Sequence, residues 1–320
     1  MTIQEYAEDL LFNCVKNNIH DLYFLPNKEG YQLRYRTAEN RRQGELLETT
    51  FGEKLILHFK FRAGMNVGEK RRAQLGAYSL ELGGKECRFR LSTVGDYEGR
   101  ETLVIRFLYE ATQQHTSFFY PDQYEEIKKR TQKRGLFLFS GPTGSGKTTL
   151  LYRLARELGQ SRQIIAIEDP VEIHEEAILQ LQVNHAIEMD YERLIKLCLR
   201  HRPDLLIIGE IRDSPTARAA IRATLTGHTV FATLHAKDIE GAYMRLLELG
   251  VDKGELRECL NGITYQRIFE DVNGRHQALI DMGFLEKGEL KHDKKNWSML
   301  LSQLYESRQI SKQTYYKEKT

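Results

Sequence analysis

One glycine-rich stretch constrains this chain more than any other feature. Residues 141–149 read GPTGSGKTT and match the pattern G-x-x-x-x-G-K-[ST] at every fixed position. An apolar run at 136–139 precedes the stretch, and an apolar-periodic segment at 150–158 follows it, ending at Gly159. A strand, a glycine loop and a helix in this order predict a phosphate-binding loop.

The pattern also predicts which atoms hold a nucleotide. The loop glycines let backbone N–H groups turn inwards and face phosphate oxygens. Lys147 is expected to reach the β- and γ-phosphates, and the Thr148 hydroxyl is expected to bind Mg²⁺. We expect ATP as the nucleotide, because no N-K-x-D motif for reading guanine occurs. The expected nucleotide-binding residues are Gly141, Pro142, Thr143, Gly144, Ser145, Gly146, Lys147, Thr148 and Thr149.

Length and composition set the class of protein. The length of 320 residues suggests about two domains. The content of 29% charged and 41% hydrophobic residues is ordinary for a soluble chain. The net charge of +2 gives no bulk attraction to nucleic acid or acidic lipid. The 4 cysteines form no C-x-x-C pair, and no apolar run approaches the ~18 residues of a membrane span. We therefore expect a cytoplasmic protein without a transmembrane segment.

Two parts of the chain differ in their patterns. Residues 1–110 carry an amphipathic helix near the start, a second possible helix at 55–61 and strand-like runs around two hairpin turns, which predict an α+β domain with antiparallel pairs. We expect a linker at 111–118 and a second domain at 119–320. The strand-like runs of the first part are 21–25, 31–36, 78–82, 86–92 and 101–108.

The second part alternates strand-like runs with helical segments, which predicts an α/β fold with a parallel sheet. A helix is expected from Pro121 to near Gly135. Another is expected to begin at Ser214, whose hydroxyl would cap it, and to stop at Gly227. Asp238 and Gly250 are expected to bracket a third helix, and the last ~30 residues predict no definite fold. The strand-like runs are 136–140, 163–168, 205–208 and 229–233.

Chemically competent groups follow these runs. Glu168 ends one run, and Glu210 and His235 follow two others. Ligands of open α/β sheets bind at the carboxyl ends of strands, so these side chains are expected to face the phosphate loop. A carboxylate there can hold Mg²⁺ through water or orient an attacking water. Each residue alone could equally be a solvent-facing strand end, but together they favour a catalytic site.

Four motifs, in order, resemble those of the type II and type IV secretion ATPases, which power pilus assembly, pilus retraction and secretion. Residues 141–149 resemble their Walker A motif, and 167–172 (IEDPVE) resemble their aspartate box. Residues 208–213 (IGEIRD) resemble their atypical Walker B motif, in which glycine replaces the usual aspartate, and 226–236 resemble their histidine box. Residues 62–72 resemble a signature of their second N-terminal domain. The resemblance implies a RecA-like phosphate-loop ATPase domain with a smaller N-terminal α+β domain.

The resemblance also implies residue roles. It implies that two glutamates bind Mg²⁺ and position water, and that two histidines sense the γ-phosphate. It also implies that two arginines of the N-terminal domain contact the nucleotide. A solvated strand face is the other interpretation of those arginines. The implied catalytic residues are Glu168, Glu210, His235, His228, Arg90 and Arg106, and the implied metal ligands are Thr148, Glu168 and Glu210. Arg200 and Arg212 match further family arginines, whereas Lys196 stands where many members have arginine.

The chain departs from secretion and pilus-extension members because it has no C-x-x-C pairs after the histidine box. In this it resembles the competence pseudopilus ATPases of Gram-positive bacteria. That resemblance implies a homohexamer that uses ATP and Mg²⁺ and pushes on a polytopic membrane platform protein, at the inner face of the cell membrane, to assemble a pseudopilus for DNA uptake. No direct nucleic-acid contact is expected, because basic clusters at 70–72 and 128–130 lack interleaved aromatic residues.

Three alternatives stay open at this point. A pilus retraction motor would carry nearly the same motifs. A nucleic-acid translocase would show DNA-stimulated hydrolysis. A nucleotide-gated scaffold would bind ATP with little turnover, although the retained Glu168, Glu210 and His235 argue against it.

Overall fold

The computed structural model describes residues 2–37, 40–108, 117–159, 162–184, 187–293 and 295–319. The chain divides into two compact units, Met1–Tyr109 and Glu110–Thr320. The expected linker at 111–118 lies outside the described residues except for its last two positions. None of the described helices is both long and apolar enough to cross a bilayer.

The first unit is a six-stranded antiparallel sheet with two helices. Its helices are α1 (Ile3–Lys16) and α2 (Thr49–Arg62). Its strands are β1 (Asp21–Pro26), β2 (Tyr31–Arg36), β3 (Arg41–Leu47), β4 (Gln74–Leu82), β5 (Lys85–Gly95) and β6 (Glu101–Leu108), in the order β3-β2-β1-β6-β5-β4. The sequence did not predict β3, because its residues RRQGELL are mostly exposed at a sheet edge and carry no apolar alternation.

The apolar faces of α1, α2 and the sheet form one core, which includes Leu11, Phe24, Phe59 and Leu103. A capping box begins α1: the Thr2 hydroxyl accepts from the Glu5 N–H, and the Glu5 carboxylate accepts from the Thr2 N–H. The first unit is therefore an α+β layer, as the sequence predicts.

The second unit is larger and holds the phosphate loop. Its helices are α3 (Pro121–Arg130), α4 (Lys147–Leu158), α5 (Tyr191–Arg200), α6 (Ser214–Leu225), α7 (Ile239–Glu248), α8 (Lys253–Cys259), α9 (Asn296–Glu306) and α10 (Lys312–Glu318). Its strands are β7 (Ser117–Phe118), β8 (Leu136–Ser140), β9 (Ile164–Glu168), β10 (Leu179–Gln182), β11 (Leu205–Ile208), β12 (Thr229–Leu234), β13 (Leu260–Glu270), β14 (His276–Glu286) and β15 (Glu289–Lys291).

The strands of this unit form one nine-stranded sheet in the order β10-β9-β11-β12-β8-β13-β14-β15, with β7 beside β14. Pairing is parallel from β10 to β13, and β14 and β15 then add antiparallel. Every residue of β8, β9, β11 and β12 is buried, because helices cover both faces. One face packs mainly on α3 and α4, and the other on α5 to α8. The predicted α/β fold with a parallel sheet is confirmed.

Three details differ from the sequence-based expectation. Helix α3 ends at Arg130, earlier than Gly135. The cap of α6 is the Asp213 carboxylate, which accepts from the Thr216 N–H at 2.8 Å, so Ser214 is already the first helical residue. The tail forms α9 and α10, whose apolar residues pack against Phe119, Phe269 and Leu279.

A buried ion pair joins a helix to a strand in the first unit. Lys60 Nζ lies 2.5 Å from Glu101 Oε1, and the two side chains are 0% and 4% exposed. The same Nζ donates to the Glu69 carbonyl at 2.6 Å. Because neither charge reaches water, removal of one partner leaves the other buried without compensation.

We predict that Lys60→Met lowers the free energy of unfolding of the first unit by about 3–5 kcal/mol. The double variant Lys60→Met/Glu101→Leu should recover most of this loss, because it removes both charges. Arg88→Met, which breaks an exposed pair with Glu86, should cost under about 1 kcal/mol. Urea unfolding followed by far-UV circular dichroism measures each change. A Lys60→Met loss no larger than the Arg88→Met loss would contradict the prediction.

Candidate active site

The phosphate loop leaves the carboxyl end of β8 and enters α4. Gly141, Gly144 and Gly146 have φ values of +144°, +79° and +79°. An added Cβ on Gly146 would meet Gln266 Nε2 and Ile268 Cδ1 at 2.8 Å. Glycine is therefore required at position 146 both by its backbone conformation and by the close packing of β13 beneath the loop. This conformation directs the amino end of α4 into the loop, which favours an anion.

Lys147 is buried at the start of α4. Its Nζ donates to the carbonyls of Gly141 and Pro142 at 3.0 and 2.9 Å. Burial lowers the pKa of Lys147, and the negative charges of Glu210 and Glu172 partly oppose that change. The ammonium group is thus held inside the loop by carbonyl oxygens, close to the acidic residue that follows β11.

The loop rests on β13 through a side chain that the sequence did not single out. Gln266 Nε2 donates to the Ser145 carbonyl at 2.5 Å, and Gln266 is 1% exposed. The Ser145 hydroxyl is also buried, and it has no hydrogen-bond partner among the described residues. A polar atom buried without a partner in a phosphate loop fits a site built for a polar ligand. Thr148 and Thr149 lie in the first turn of α4 and are half-buried.

Glu168 ends β9 and is 3% exposed. Tyr152 of α4 donates its hydroxyl to Glu168 Oε1, and Gln180 Nε2 of β10 donates to the same oxygen at 3.2 Å. Burial raises the pKa of Glu168 to about 7, although both hydrogen bonds act to lower it. The sequence could not identify Tyr152 or Gln180 as partners, since the packing of α4 and the parallel pairing of β10 with β9 bring them to Glu168.

Glu210 follows β11 and makes two charged contacts. Its Oε1 lies 3.3 Å from His235 Nε2, and its Oε2 accepts from Arg212 Nε at 2.5 Å. The carboxylate is mostly buried, at 16% exposed, whereas His235 and Arg212 are 45% and 61% exposed. The Glu210 carboxylate therefore lies between an imidazole ring and a guanidinium group.

Backbone contacts hold these strand ends together. The Gly209 N–H donates to the Ile167 carbonyl at 2.8 Å, and the Thr233 hydroxyl donates to the Gly209 carbonyl. A Cβ on Gly209 would lie 3.2 Å from the Glu168 Cα. A side chain at position 209 would therefore have to displace its neighbours by a few tenths of an ångström. Lys147, Glu168, Glu210 and His235 therefore share the carboxyl edge of the sheet.

His228 does not join them within this unit. It precedes Thr229, the first residue of β12, whereas His235 follows Leu234, the last. The six-residue strand therefore separates the two histidines and places His228 at the amino edge of the sheet. There its Nδ1 lies 3.2 Å from the Ala223 carbonyl. Its predicted contact with the γ-phosphate is not supported by this placement and stays a prediction.

The two predicted arginines of the first unit are neighbours. Arg90 of β5 and Arg106 of β6 face each other in the antiparallel register. Arg106 Nε also lies 2.8 Å from Oδ1 of Asp21, which is 3% exposed. Arg106 is thus half-exposed and anchored by a buried carboxylate rather than fully solvated. The predicted nucleotide contact of both arginines stays a prediction.

The remaining family positions lie on exposed surface. Lys196 Nζ pairs with Glu192 Oε1 at 2.8 Å, one turn away on α5. Arg200 lies in the last turn of the same helix.

The site also suits a magnesium ion held mainly by a nucleotide. Among the described residues, no group of three His, Cys, Asp or Glu could hold a metal by itself. Mg²⁺ commonly keeps several waters and substrate phosphates, with one or two protein oxygens. The Thr148 hydroxyl beside the loop and the Glu210 carboxylate offer oxygens of that kind.

Comparison with known proteins identifies relatives over nearly the whole length. The family model described as "Type II/IV secretion system protein" matches residues 1–311. Competence protein ComGA of Streptococcus pneumoniae is 47% identical over 309 residues, covering 97% of this chain and 96% of that protein. Competence protein ComGA of Bacillus subtilis is 34% identical over 274 residues, covering 84% and 77%. The structure of the pilus retraction motor PilT with bound ADP has a TM-score of 0.73 at 20% identity, covering 97% and 96%, and this likeness shows the fold.

The raised pKa of Glu168 gives a test by linkage. The folded state binds this proton more tightly than the unfolded state, in which the pKa is ordinary. The resulting stabilisation is present below about pH 4.5 and is lost as the pH rises to about 7. Glu168→Gln removes the titration, so the variant should gain about 2 to 3 kcal/mol relative to wild type between pH 5 and pH 8.

Denaturant unfolding of the nucleotide-free chain, followed by fluorescence of its lone Trp297 in the second unit, measures this gain. Glu176→Gln, at an exposed position near Glu168, is the control and should show no such pH dependence. If the difference in free energy of unfolding between Glu168→Gln and wild type stayed constant from pH 5 to pH 8, Glu168 would not have a raised pKa in the folded chain.

Proposed function

The chain belongs to the family of type II/IV secretion system proteins and is an ATPase; from that premise we propose that it is the hexameric motor that assembles a competence pseudopilus for DNA uptake. The observation that carries the proposal is the meeting of Lys147, Glu168, Glu210 and His235 at one edge of the sheet. The competence role is favoured over retraction because the relatives at 47% and 34% identity both carry the competence name.

The phosphate loop binds the triphosphate in this proposal. The amino end of α4 and the N–H groups of the loop would receive phosphate oxygens. Lys147 would transfer its hydrogen bonds from the Gly141 and Pro142 carbonyls to the β- and γ-phosphates. The exchange is favourable because a phosphate oxygen carries more negative charge than a carbonyl oxygen.

Mg²⁺, when bound, would neutralise charge on the β- and γ-phosphates. Thr148 and Glu210 are the residues that would hold it, directly or through water. Glu168 was also predicted as a ligand. Tyr152 and Gln180 donate to one of its oxygens, and His235 and Arg212 contact the two oxygens of Glu210, so we propose that both glutamates act on the ion through water.

Glu210 orients the attacking water and accepts its proton. Its contacts with His235 Nε2 and Arg212 Nε fix the carboxylate at the strand end. His235 follows β12 directly and contacts Glu210, so movement of Glu210 on phosphate release would be passed to β12. Arg90 and Arg106 are proposed to neutralise charge on the transferring phosphoryl group.

The proposed partner is a polytopic platform protein of the pilus machine, through which the motor would be held at the inner face of the membrane. The proposed hexamer would place nucleotide between domains, so that hydrolysis moves the domains and transmits force to that partner. Direct binding to DNA is not part of the proposal.

Two substitutions separate nucleotide binding from chemistry. Lys147→Ala should weaken ATP binding and abolish turnover, since no other side chain of the loop supplies a cation. Glu210→Gln keeps shape and polarity but cannot accept a proton, so it should bind ATP almost normally and hydrolyse it ~10²–10⁴-fold more slowly. Equilibrium binding of ATP and single-turnover hydrolysis measure both effects. Equal loss of ATP binding in the two variants would make the role of Glu210 structural.

One experiment can test both the proposed hexamer and the proposal that the chain does not bind DNA. ATPase activity should elute with the hexamer when the purified chain is separated by size, and added duplex or single-stranded DNA should leave the rate unchanged. Activity confined to monomer fractions would contradict the proposed hexamer. A rate stimulated several-fold by DNA would instead support a nucleic-acid translocase.

A further inference from the structure

A cavity of about 430 Å³ lies at the amino edge of the second unit's sheet, opposite the phosphate loop. Four loops build it, and each loop enters one of the four fully buried strands. Arg134 precedes β8, Arg162 precedes β9, Arg202 and Asp204 precede β11, and His228 precedes β12. We call this space the amino-edge cavity.

The described residues that line the amino-edge cavity carry a net positive charge. Arg134, Arg162 and Arg202 contribute three positive charges and Asp204 one negative charge, and Arg134, Arg202 and Asp204 are exposed to solvent. The Asp204 carboxylate is already engaged, because its Oδ2 accepts from the Gln163 N–H at 2.8 Å. Within the part of the chain that the structure describes, none of the three guanidinium groups forms an ion pair or a side-chain hydrogen bond.

Three like charges around one space repel one another, although solvent screens the exposed ones, and an anion between them would reduce that repulsion. Arginine presents its N–H donors in a planar fork that matches phosphate oxygens two at a time. Arg202 also has a φ of +50°, which is uncommon for a residue other than glycine. The backbone in the turn before β11 is therefore unfavourable at Arg202, the residue of that turn whose positive charge lines the cavity.

His228 adds a further polar group. Its Nδ1 lies 3.2 Å from both the Ala223 carbonyl oxygen and the Thr226 hydroxyl oxygen, so that nitrogen is already engaged. The Nε2 atom is then the ring nitrogen that is left to bind a ligand. This role accounts for a histidine that the sequence associates with phosphate but that β12 separates from the phosphate loop.

We propose that the amino-edge cavity is a second anion-binding site, which takes a small molecule carrying one or two phosphate groups. Its volume falls in the range of small-ligand sites, about 300–1,000 Å³. The three arginine charges match a phosphate-bearing molecule with more than one negative charge better than a single carboxylate. A nucleic-acid strand is disfavoured because no aromatic side chain for base stacking lines the space.

Inorganic pyrophosphate is the probe, and the full chain carrying Lys147→Ala is the parent, so that the phosphate loop does not compete for it. Titration calorimetry at about 0.15 M salt should show one pyrophosphate bound per chain. Adding Arg162→Gln or Arg202→Gln to the parent should each weaken this binding about tenfold or more, as expected for loss of a charged hydrogen bond. Thermal unfolding of each variant establishes that it is folded.

Arg218→Gln in the same parent is the matched control, because Arg218 is an exposed arginine of α6 that does not line the cavity. It should bind pyrophosphate as the parent does. The proposal is overturned if the parent binds no pyrophosphate at millimolar concentration, or if Arg162→Gln and Arg202→Gln bind it as well as Arg218→Gln. It is also overturned if an oligoglutamate peptide or an oligonucleotide binds the parent through these arginines and pyrophosphate does not.

Discussion

Parallel pairing of four buried strands is the interaction on which this site depends. Strands β9, β11, β12 and β8 are neighbours and run in the same direction, so their carboxyl ends meet at one edge. The strands contain mainly apolar and small residues, and the charged or ionisable side chains come at or just after their carboxyl ends: Glu168 ends β9, Glu210 follows β11 and His235 follows β12. A shift of one residue in any pairing would move these groups along or across the sheet.

Burial at this edge sets the properties of its charged groups. Lys147 has a lowered pKa and Glu168 a raised pKa, and in both cases loss of water is the largest cause. Both groups are held by hydrogen bonds to neighbours, which partly offset the cost of taking them out of water. Perturbed pKa values of this kind are typical of catalytic and binding sites. Glu210 differs because it reaches water beside His235 and Arg212.

The sequence predicts the four central apolar strands but not every element beside them. The four central strands and the phosphate loop follow from apolar runs bounded by glycine. Strand β3 is polar because it lies at an edge, and β13 buries Thr264 and Gln266 that bond to neighbouring carbonyls, so neither shows a strand pattern. Contacts such as Tyr152 with Glu168 depend on how helix α4 packs on the sheet, which the sequence pattern does not give. His228 was grouped with His235 by motif, and only the length of β12 shows that the strand separates them.

The central claim is that ATP binds at the carboxyl edge, with its phosphates on Lys147 and its reacting end at Glu210. A crystal structure of the Glu210→Gln chain with ATP and Mg²⁺ tests it most directly. We expect Lys147 Nζ to leave the Gly141 and Pro142 carbonyls and to lie within hydrogen-bond distance of the β- and γ-phosphates, with position 210 beside the γ-phosphate. Nucleotide bound elsewhere, or Lys147 still bonded to both carbonyls with ATP present, would contradict the account.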